Sequence, residues 1–493
     1  MKIRTILQDF EWNLPADAKH WEHVGEHAGQ LAELGFTDIW LPPAYKGLMG
    51  KEDVGYGVYD LYDLGEFNAK GSKETKYGTI DQYLAAIAKL HEEGLNVMAD
   101  IVLNHRMGAD RTEWVLAHKY RNNKRITGYV KTLKITAETI FKFPERNRRH
   151  SAFKWNHEHF TGVDINKDNE RGTDKMNGGI NSIYKFFGHR WDVDVDDENQ
   201  NYEYLMGCDV DFNNPEVLEE MDRWGKWYID IARLDCVRLD AVKHISHRFF
   251  PTWLASMREH VRKTRGKKEF LAVGEYWSGD CQKLVNYLNN CGKCMNLFDV
   301  ALHYHLRDAS EQGENYDLRK IFDDTLVQKE PWYAVTFVDN HDTQPGQMLE
   351  SWVREPFKQS AYALVLLRQS GLPCVFYGDL FGLNPYEKDG VMHPAIPAVH
   401  GIEKLMEARK LYATGGQQDY FEKKNLIGWT REGGAAVVIS NGGEDAIRMK
   451  HGRPGQVFVD MLGNATKEVV VDENGYGWFG ATGGTVSVWV PKN

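Results

Sequence analysis

The chain has 493 residues, of which 60 are Lys or Arg and 71 are Asp or Glu, so its formal net charge is -11. This length predicts two or three domains, with cores that form without help from disulfides or metals. The negative charge argues against a polyanionic partner such as nucleic acid, and no apolar run approaches the ~18 residues of a membrane span.

The first residues contain neither an apolar segment nor a small-residue cleavage site, so the sequence does not predict a signal peptide. Widely spaced cysteines favour free thiols in a cytoplasm over a disulfide framework. The six are Cys208, Cys236, Cys281, Cys291, Cys294 and Cys374. We therefore expect a cytoplasmic monomer without a membrane partner, while a secreted form whose signal peptide has been removed stays open.

Short apolar runs alternate with helical patterns over the first four hundred or so residues. The clearest helix, Ile80 to His91, has its apolar residues on one face, and Gly94 stands where a helix would end. Eight strands are predicted: Ile3 to Gln8, Thr37 to Leu41, Asn96 to Leu103, Cys236 to Val242, Phe270 to Glu275, Asn296 to Phe298, Ala334 to Asp339 and Cys374 to Tyr377. Eight alternating units predict an α/β protein with a closed (β/α)8 barrel, the TIM-barrel fold.

Two segments depart from this alternation. About 130 residues separate the third strand from the fourth, which is too long for a simple loop, so we predict a small inserted domain. The C-terminal segment alternates apolar and polar residues between Gly-containing turns, as an antiparallel β-sandwich does. The predicted domains are a barrel of residues 1–104 and 209–410, an inserted domain of residues 105–208, and a C-terminal β domain of residues 411–493.

Three predicted strands deliver an acidic residue near their carboxyl ends, to the rim where a (β/α) barrel forms its active site: Asp240, Glu275 and Asp342. Arg238 shares a strand face with Asp240, and a neighbouring guanidinium lowers a carboxyl pKa, which suits a nucleophile. Glu275 has apolar neighbours and no adjacent cation, and such surroundings raise a carboxyl pKa, which suits a general acid. Two carboxyls divided in this way are what glycoside hydrolysis needs, and a third acid stabilises positive charge.

Each of these residues also has a purely structural explanation. A buried Asp beside an Arg is more often part of an ion pair than of a catalytic site, and a single Glu at a strand end is no stronger. The functional interpretation therefore depends on three acids that end strands of one barrel.

Four segments resemble, in order and content, the signature regions of the α-amylase family of glycoside hydrolases (family 13): Asp100 to His105, Val237 to His244, Gly274 to Trp277 and Phe337 to Asp342. Further segments resemble those of bacterial liquefying and cytoplasmic α-amylases: Trp40 to Gly47, Val54 to Asp60, Lys76 to Thr79 and Asn340 to Gly346. The resemblance runs the full chain and implies retaining endo-hydrolysis of internal α-1,4-glucosidic bonds in starch, glycogen or maltodextrins.

The resemblance also implies residue roles. Asp240 would be the nucleophile, Glu275 the general acid and base, and Asp342 the residue that stabilises the transition state. Retention then predicts that the carboxyls of Asp240 and Glu275 lie roughly 5–5.5 Å apart. Substrate would be bound by Tyr56, which would stack on the glucose unit, and by His105, Arg238, Lys243, His244 and His341.

Calcium is a further implication, bound by hard oxygens where the inserted domain meets the barrel. The matching positions are Asn104, Glu203, Asp209 and the backbone carbonyl of His244. Liquefying relatives carry Asp where this chain has Thr161, so we do not expect a second cation. Nearby acids are either remnants of such a site or a solvated loop, which we favour: Asp192, Asp194 and Asp211. Animal-type relatives bind chloride through a basic residue just after the last signature region. This chain has Thr343 there, so chloride is not expected.

Three alternatives remain. An α-glucanotransferase of the same clan would share the acids but would form products longer than its substrate. A non-catalytic glycan-binding protein would typically lack one of the acids, and all three are present. A phosphate-binding barrel would carry a Gly-rich loop near the last two strands, which this sequence does not contain.

Overall fold

The computed structural model describes residues 4–169, 182–267 and 269–492. Its central feature is a closed barrel of eight parallel strands, which confirms the predicted fold class. In chain order the strands are Ile6–Gln8, Asp38–Leu41, Asn96–Ile101, Cys236–Leu239, Leu271–Gly274, Asn296–Phe298, Ala334–Phe337 and Leu372–Phe376. The first strand closes the barrel on the last, with Ile6 opposite Cys374. Ile3, the predicted start of the first strand, lies outside the described residues.

Helices follow most of the barrel strands. The predicted helix forms as Ile80–Glu92, and Thr79 caps it by accepting a hydrogen bond from Gln82 N, while the Gln82 side chain reaches back to the Thr79 N–H. The described α-helices are His20–Leu34, Ile80–Glu92, Pro215–Ala232, Phe249–Arg265, Cys281–Asn290, Val300–Gln312, Leu326–Lys329, Lys358–Leu366, Tyr377–Phe381 and Ile402–Leu411. Short 3-10 helices occur at Gly50–Glu52, His157–His159, Lys167–Asn169, Glu198–Gln200, Val242–His244, Gly313–Asn315 and Leu318–Lys320. None of the described helices could cross a membrane.

A second sheet occupies the interval after the third barrel strand, and we call it the inserted sheet. Its strands, in spatial order, are His105–Arg106, Cys208–Val210, Phe160–Val163, Ser182–Phe186, Arg111–Arg121 and Tyr129–Ile140. The two strands nearest the barrel pair antiparallel, with Asp209 opposite His105. The strand Cys208–Val210, the last of this sheet along the chain, crosses the predicted domain limit between residues 208 and 209. The exact domain limits stay predictions.

The C-terminal segment forms antiparallel sheets, as predicted. The larger sheet has the spatial order Gln417–Lys423, Leu426–Arg431, Ala436–Ser440, Val486–Pro491, Val457–Asp460 and Val469–Val470. A two-stranded sheet of the same segment pairs Asp445–Lys450 with Tyr476–Ala481.

Two further two-stranded sheets lie outside the C-terminal segment. One pairs Lys46–Gly47 with Val58–Asp60, and the other pairs Tyr386–Lys388 with Val391–His393.

The register of the barrel places charged residues side by side in its interior. Asp100 and Arg238 are partners on adjacent strands, and neither side chain has any exposed surface. Trp40, on the strand next to that of Asp100, is also fully buried. A buried cation needs a closely placed anion, so this register determines where an ionic site can form.

Candidate active site

The three acids predicted from the sequence lie at one rim of the barrel. The backbone N–H groups of Asp240 and Glu275 each donate to a carbonyl of the preceding barrel strand at 2.9 Å, so strand pairing continues up to both acids. Asp342 follows the seventh strand, and its N–H donates to Asn340 Oδ1 at 2.9 Å. The rim is therefore built from regular backbone, with the acids at its carboxyl end.

A single guanidinium connects Asp240 and Glu275 with Asp100. Arg238 Nη1 donates to Asp100 Oδ1 at 2.9 Å and to Asp240 Oδ1 at 2.6 Å. Arg238 Nη2 lies 3.3 Å from Glu275 Oε2, as an ion pair. The carboxyls of Asp240 and Glu275 are thus neighbours on one cation, as the sequence predicted for Arg238 and Asp240. The predicted separation of roughly 5–5.5 Å stays a prediction.

The backbone beyond Asp240 turns sharply. Ala241 adopts the left-handed conformation with φ 51° and ψ 38°, which is uncommon for a residue with a Cβ. In this conformation the Ala241 N–H donates to Glu275 Oε2 at 2.8 Å. An unfavourable backbone conformation at a functional site usually serves that site, and here it orients one acid relative to the other. Sequence reasoning did not find this residue, because alanine carries no signal for a left-handed turn.

Burial controls protonation at the rim. It raises the pKa of Glu275 to about 8 and that of Asp342 to about 7, and the charge of Asp240 acts in the same direction. Burial also lowers the pKa of His105 and of His341, so both imidazoles are neutral at pH 7. The raised pKa of Glu275 agrees with its apolar sequence neighbours.

Asp100 organises the floor of the site. Besides Arg238 it accepts hydrogen bonds from Trp40 Nε1 at 3.0 Å and from the Tyr56 hydroxyl at 2.9 Å, both on Oδ2. One carboxylate therefore orients the guanidinium and the ring predicted to bind substrate. Asp100 lies in a signature region to which the resemblance assigned no role at this position, although its place at the end of the third strand pointed to the same rim.

Parallel rings form one wall of the site. The rings of Tyr56 and His341 stack with centroids 5.1 Å apart and an interplanar angle of 4°, and Trp12 lies parallel to Tyr56 at 5.9 Å. Gln8 Nε2 and His341 Nδ1 are 2.9 Å apart, which holds the imidazole in place. The wall presents flat apolar surface beside the acids, a geometry that suits the C–H face of a sugar.

The other predicted binding residues take two positions. His105 Nε2 lies 2.8 Å from Tyr56 O, and its Nδ1 is buried without a hydrogen-bond partner among the described residues. Lys243 Nζ donates to Glu198 Oε2 and to Trp277 O, both at 3.1 Å. The structure thus brings His105 to the acids and Lys243 to the side of Trp277, which follows Glu275.

The four positions expected to bind calcium lie on segments that meet at the junction of the inserted domain and the barrel. Asn104 O accepts from the N–H of the residue after Asp209 at 3.0 Å. His244 Nδ1 donates to the carbonyl of the residue before Glu203 at 2.6 Å. The imidazole of His244 therefore faces the inserted segment, and burial lowers its pKa to about 3.

The donors at this junction suit a hard cation. Burial raises the pKa of Asp209 well above its ordinary value, and the charge of Glu203 acts in the same direction. Among the described residues nothing bonds to the buried Asn104 Nδ2, and a rotated amide would present its oxygen there. The described residues contain no group of three or more His, Cys, Asp or Glu arranged for a metal, so amide and carbonyl oxygens would have to contribute.

A lysine and a threonine also contact these acids. Lys185 Nζ donates to Glu203 Oε1 at 2.7 Å, and only 2% of the lysine side chain and 8% of the glutamate side chain are exposed. The Thr161 hydroxyl donates to Asp209 Oδ2. An ammonium and a hydroxyl thus stand beside the two carboxyls.

The nearby acids Asp192, Asp194 and Asp211 each contact a different partner. Asp194 forms an ion pair with Arg248 at 3.0 Å, and Asp211 forms one with His189 at 3.4 Å. Asp192 turns onto its own loop, where its Oδ1 accepts from Asp194 N at 2.8 Å. Each acid therefore has a separate local partner.

Comparison with known proteins agrees with this geometry. Residues 17–419 match the family described as the α-amylase catalytic domain. The chain is 47% identical to an α-amylase of Geobacillus stearothermophilus, over 99% of this chain and 87% of that protein. It is 41% identical to the cytoplasmic α-amylase of Escherichia coli K12, over 99% of both.

A solved structure shows the same fold. The α-amylase from Geobacillus thermoleovorans, complexed with acarbose, superposes on 99% of this chain and 98% of its own with a TM-score of 0.61, at 16% identity. The fold and the acid-lined rim define a barrel glycoside hydrolase. By its sequence, the chain belongs to the α-amylase family.

We expect Asp100→Asn to lower kcat/KM by about 10²-fold, because a loosened Arg238 and Tyr56 would misplace the substrate by about an ångström. Steady-state kinetics on a soluble maltooligosaccharide measures the effect. Asp38→Asn is the matched control, because Asp38 is a buried partner of Arg4 in the same barrel, away from the acids. The control should lose thermal stability but keep its kcat/KM. Equal kinetic losses in both variants would show that Asp100 only stabilises the barrel.

Proposed function

We propose that this chain is an α-amylase that hydrolyses internal α-1,4-glucosidic bonds of starch, glycogen or maltodextrins with retention of configuration. One observation carries the proposal: Arg238 contacts both Asp240 and Glu275, while burial raises the pKa of Glu275 to about 8. Asp240 has a guanidinium as its direct partner, and Glu275 keeps its proton at neutral pH. These are the two states that double displacement requires.

The reaction then has two steps. A carboxylate oxygen of Asp240 attacks the anomeric carbon while Glu275 gives its proton to the glycosidic oxygen, so that a glycosyl ester forms and the leaving chain departs. Glu275, now ionised, takes a proton from water, and the water oxygen displaces Asp240 from the same carbon. Two inversions return the α configuration.

Other residues of the rim hold the sugar in place. The Tyr56 ring would stack on the glucose unit beside His341, and His105 Nδ1, which lacks a partner among the described residues, would meet a hydroxyl. Asp342 would accept hydrogen bonds from hydroxyls and stabilise the positive charge of the transition state. Lys243, whose ammonium contacts Trp277 O, would lie toward the leaving chain, and so would His244.

The alternatives are an α-glucanotransferase of the same clan and a non-catalytic glycan-binding protein. Asp240, Glu275 and Asp342 are all present, which argues against a non-catalytic protein. The relatives at 41% and 47% identity are named α-amylases, which favours hydrolysis over transfer. Transfer would reveal itself in products longer than a pure maltooligosaccharide substrate.

We expect proton NMR of the protein with soluble starch to show new α-anomeric reducing ends before they mutarotate. Asp240→Asn should remove turnover with the fold intact, because an amide cannot form the glycosyl ester. A β-anomer appearing first would mean an inverting reaction and would remove the nucleophile role. Near wild-type turnover by Asp240→Asn would do the same.

The pH dependence follows from the general acid. Because the pKa of Glu275 is raised to about 8, the required protonated form is present below that pH and is lost above it. We expect kcat/KM to fall on the alkaline side with an apparent pKa near 8, a value that belongs to the coupled acids rather than to Glu275 alone. An alkaline limb near pH 5, with the fold intact, would contradict the assignment.

We also propose a calcium ion at Asn104, Glu203, Asp209 and the backbone carbonyl of His244. Calcium would add positive charge beside the buried Asp209, on which Lys185 and Arg125 already act, and would tie the inserted sheet to the barrel. The Lys185 ammonium supplies charge to Glu203 from the other side. The family comparison supports the proposal only at the level of the family.

Chelation should lower the melting temperature by several degrees, because a ligand at a hundredfold excess over its Kd stabilises the native state by about 2.7 kcal/mol. Thermal melts with and without excess chelator measure this shift. Asp209→Asn should melt earlier and respond less to the chelator. A melting curve of the wild type that chelator leaves unchanged would remove the calcium proposal.

We propose a cytoplasmic location and an α-glucan as the partner molecule. All six cysteines are free thiols in the described structure, and the relative that shares 99% of its length with this chain is named a cytoplasmic α-amylase. We propose a monomer for the chain in solution.

A further inference from the structure

The outer face of the inserted sheet exposes large aromatic side chains. Trp114 is 71% exposed and Phe187 is 61% exposed, although most residues of their size are buried in this protein. The two lie close together, because the Phe187 N–H donates to Leu116 O at 2.8 Å, two residues along the strand from Trp114. A single exposed aromatic residue needs no explanation, but neighbouring ones at a concave surface indicate binding.

The surface between these rings is a groove of about 480 Å³, a size that suits a small ligand or a short segment of a polymer. We call it the sheet groove. Besides Trp114, Leu116 and Phe187, its lining includes His157, His159, His189, Asn214 and Glu216. None of these residues takes part in the acid rim of the barrel.

The sheet groove pairs its imidazoles with carboxylates. Each of its imidazoles has a carboxylate partner, at 2.7 Å for His157 with Glu113, 3.2 Å for His159 with Glu216 and 3.4 Å for His189 with Asp211. The ammonium of Lys134 lies 3.8 Å from the centroid of the Trp114 ring. Such a surface offers hydrogen-bond donors and acceptors, and its carboxylates, Glu158 and Glu216 among them, do not suit a polyanion or an anionic lipid.

We propose that the sheet groove binds a segment of α-glucan, as a second carbohydrate site separate from the barrel rim. Sugar rings would lie on Trp114 and Phe187 through their C–H faces, and their hydroxyls would bond to the imidazoles and to Asn214. A neutral ligand with many hydroxyl groups matches a surface that combines flat apolar rings with hydrogen-bond donors and acceptors. The choice of α-glucan rests on the proposed function, because an enzyme that cuts a polymer gains from holding it at a second place.

Native gel electrophoresis with and without glycogen in the gel tests the proposal on the full chain. We expect Trp114→Ala combined with Phe187→Ala to raise the apparent Kd for glycogen about tenfold, equivalent to about 1.4 kcal/mol. The kcat/KM on maltoheptaose should stay unchanged, because this short substrate needs only the barrel rim. Trp332→Ala is the matched control, since Trp332 is 77% exposed and precedes the seventh barrel strand, and it should migrate like the wild type.

The outcomes separate the two proposals. Equal retardation by glycogen in the double variant and the wild type, with maltoheptaose still hydrolysed, would overturn the sheet groove site alone. No hydrolysis of maltoheptaose by the wild type would overturn the proposed function. Size-exclusion chromatography tests whether a second copy covers these rings. A dimeric wild type together with a monomeric double variant would show that it does and would also overturn the proposal.

Discussion

The active site depends on one buried guanidinium. Arg238 has no exposed side-chain surface, and three carboxyls stand around it: Asp100, Asp240 and Glu275. Moving a cation out of water costs several kcal/mol, which only close, well-directed anions offset. Yet three carboxylates around one cation would leave an excess of negative charge at the same place. The excess is relieved by protonation, and burial determines that Glu275 is a group that holds a proton. The protonation that balances the charge of this cluster therefore also supplies the proton that the proposed general acid needs.

The inserted segment contributes to the rim through a few polar contacts. Asp196 accepts from the Tyr276 hydroxyl, next to Glu275, and from Lys283 Nζ at 3.2 Å. Lys243 Nζ reaches Glu198 Oε2 in the same segment at 3.1 Å. These contacts fasten the segment to the barrel on the side where the leaving chain would lie.

Local sequence signals found most of what regular backbone provides. Strand spacing located all eight barrel strands, because each is a short apolar run between helical patterns, and the strand ends located the three acids. The same reasoning had no access to Ala241, whose left-handed turn directs its N–H at Glu275. This contact joins segments that are distant along the chain, and single-residue preferences say nothing about such contacts.

The amino-acid sequence by itself determined the fold class, the order of the domains and the identity of the acids, because these follow from periodicity and from strand ends that share one rim. Family resemblance added the roles of the residues and the calcium positions, and those stay proposals. Only the tertiary structure decided which groups share the Arg238 guanidinium, how strongly burial shifts the pKa of Glu275, and that Lys185 lies against Glu203. The physical reason is that desolvation and ion pairing depend on three-dimensional distance. The tertiary structure also decided that the rings of the sheet groove are exposed, because exposure is a property of the folded surface.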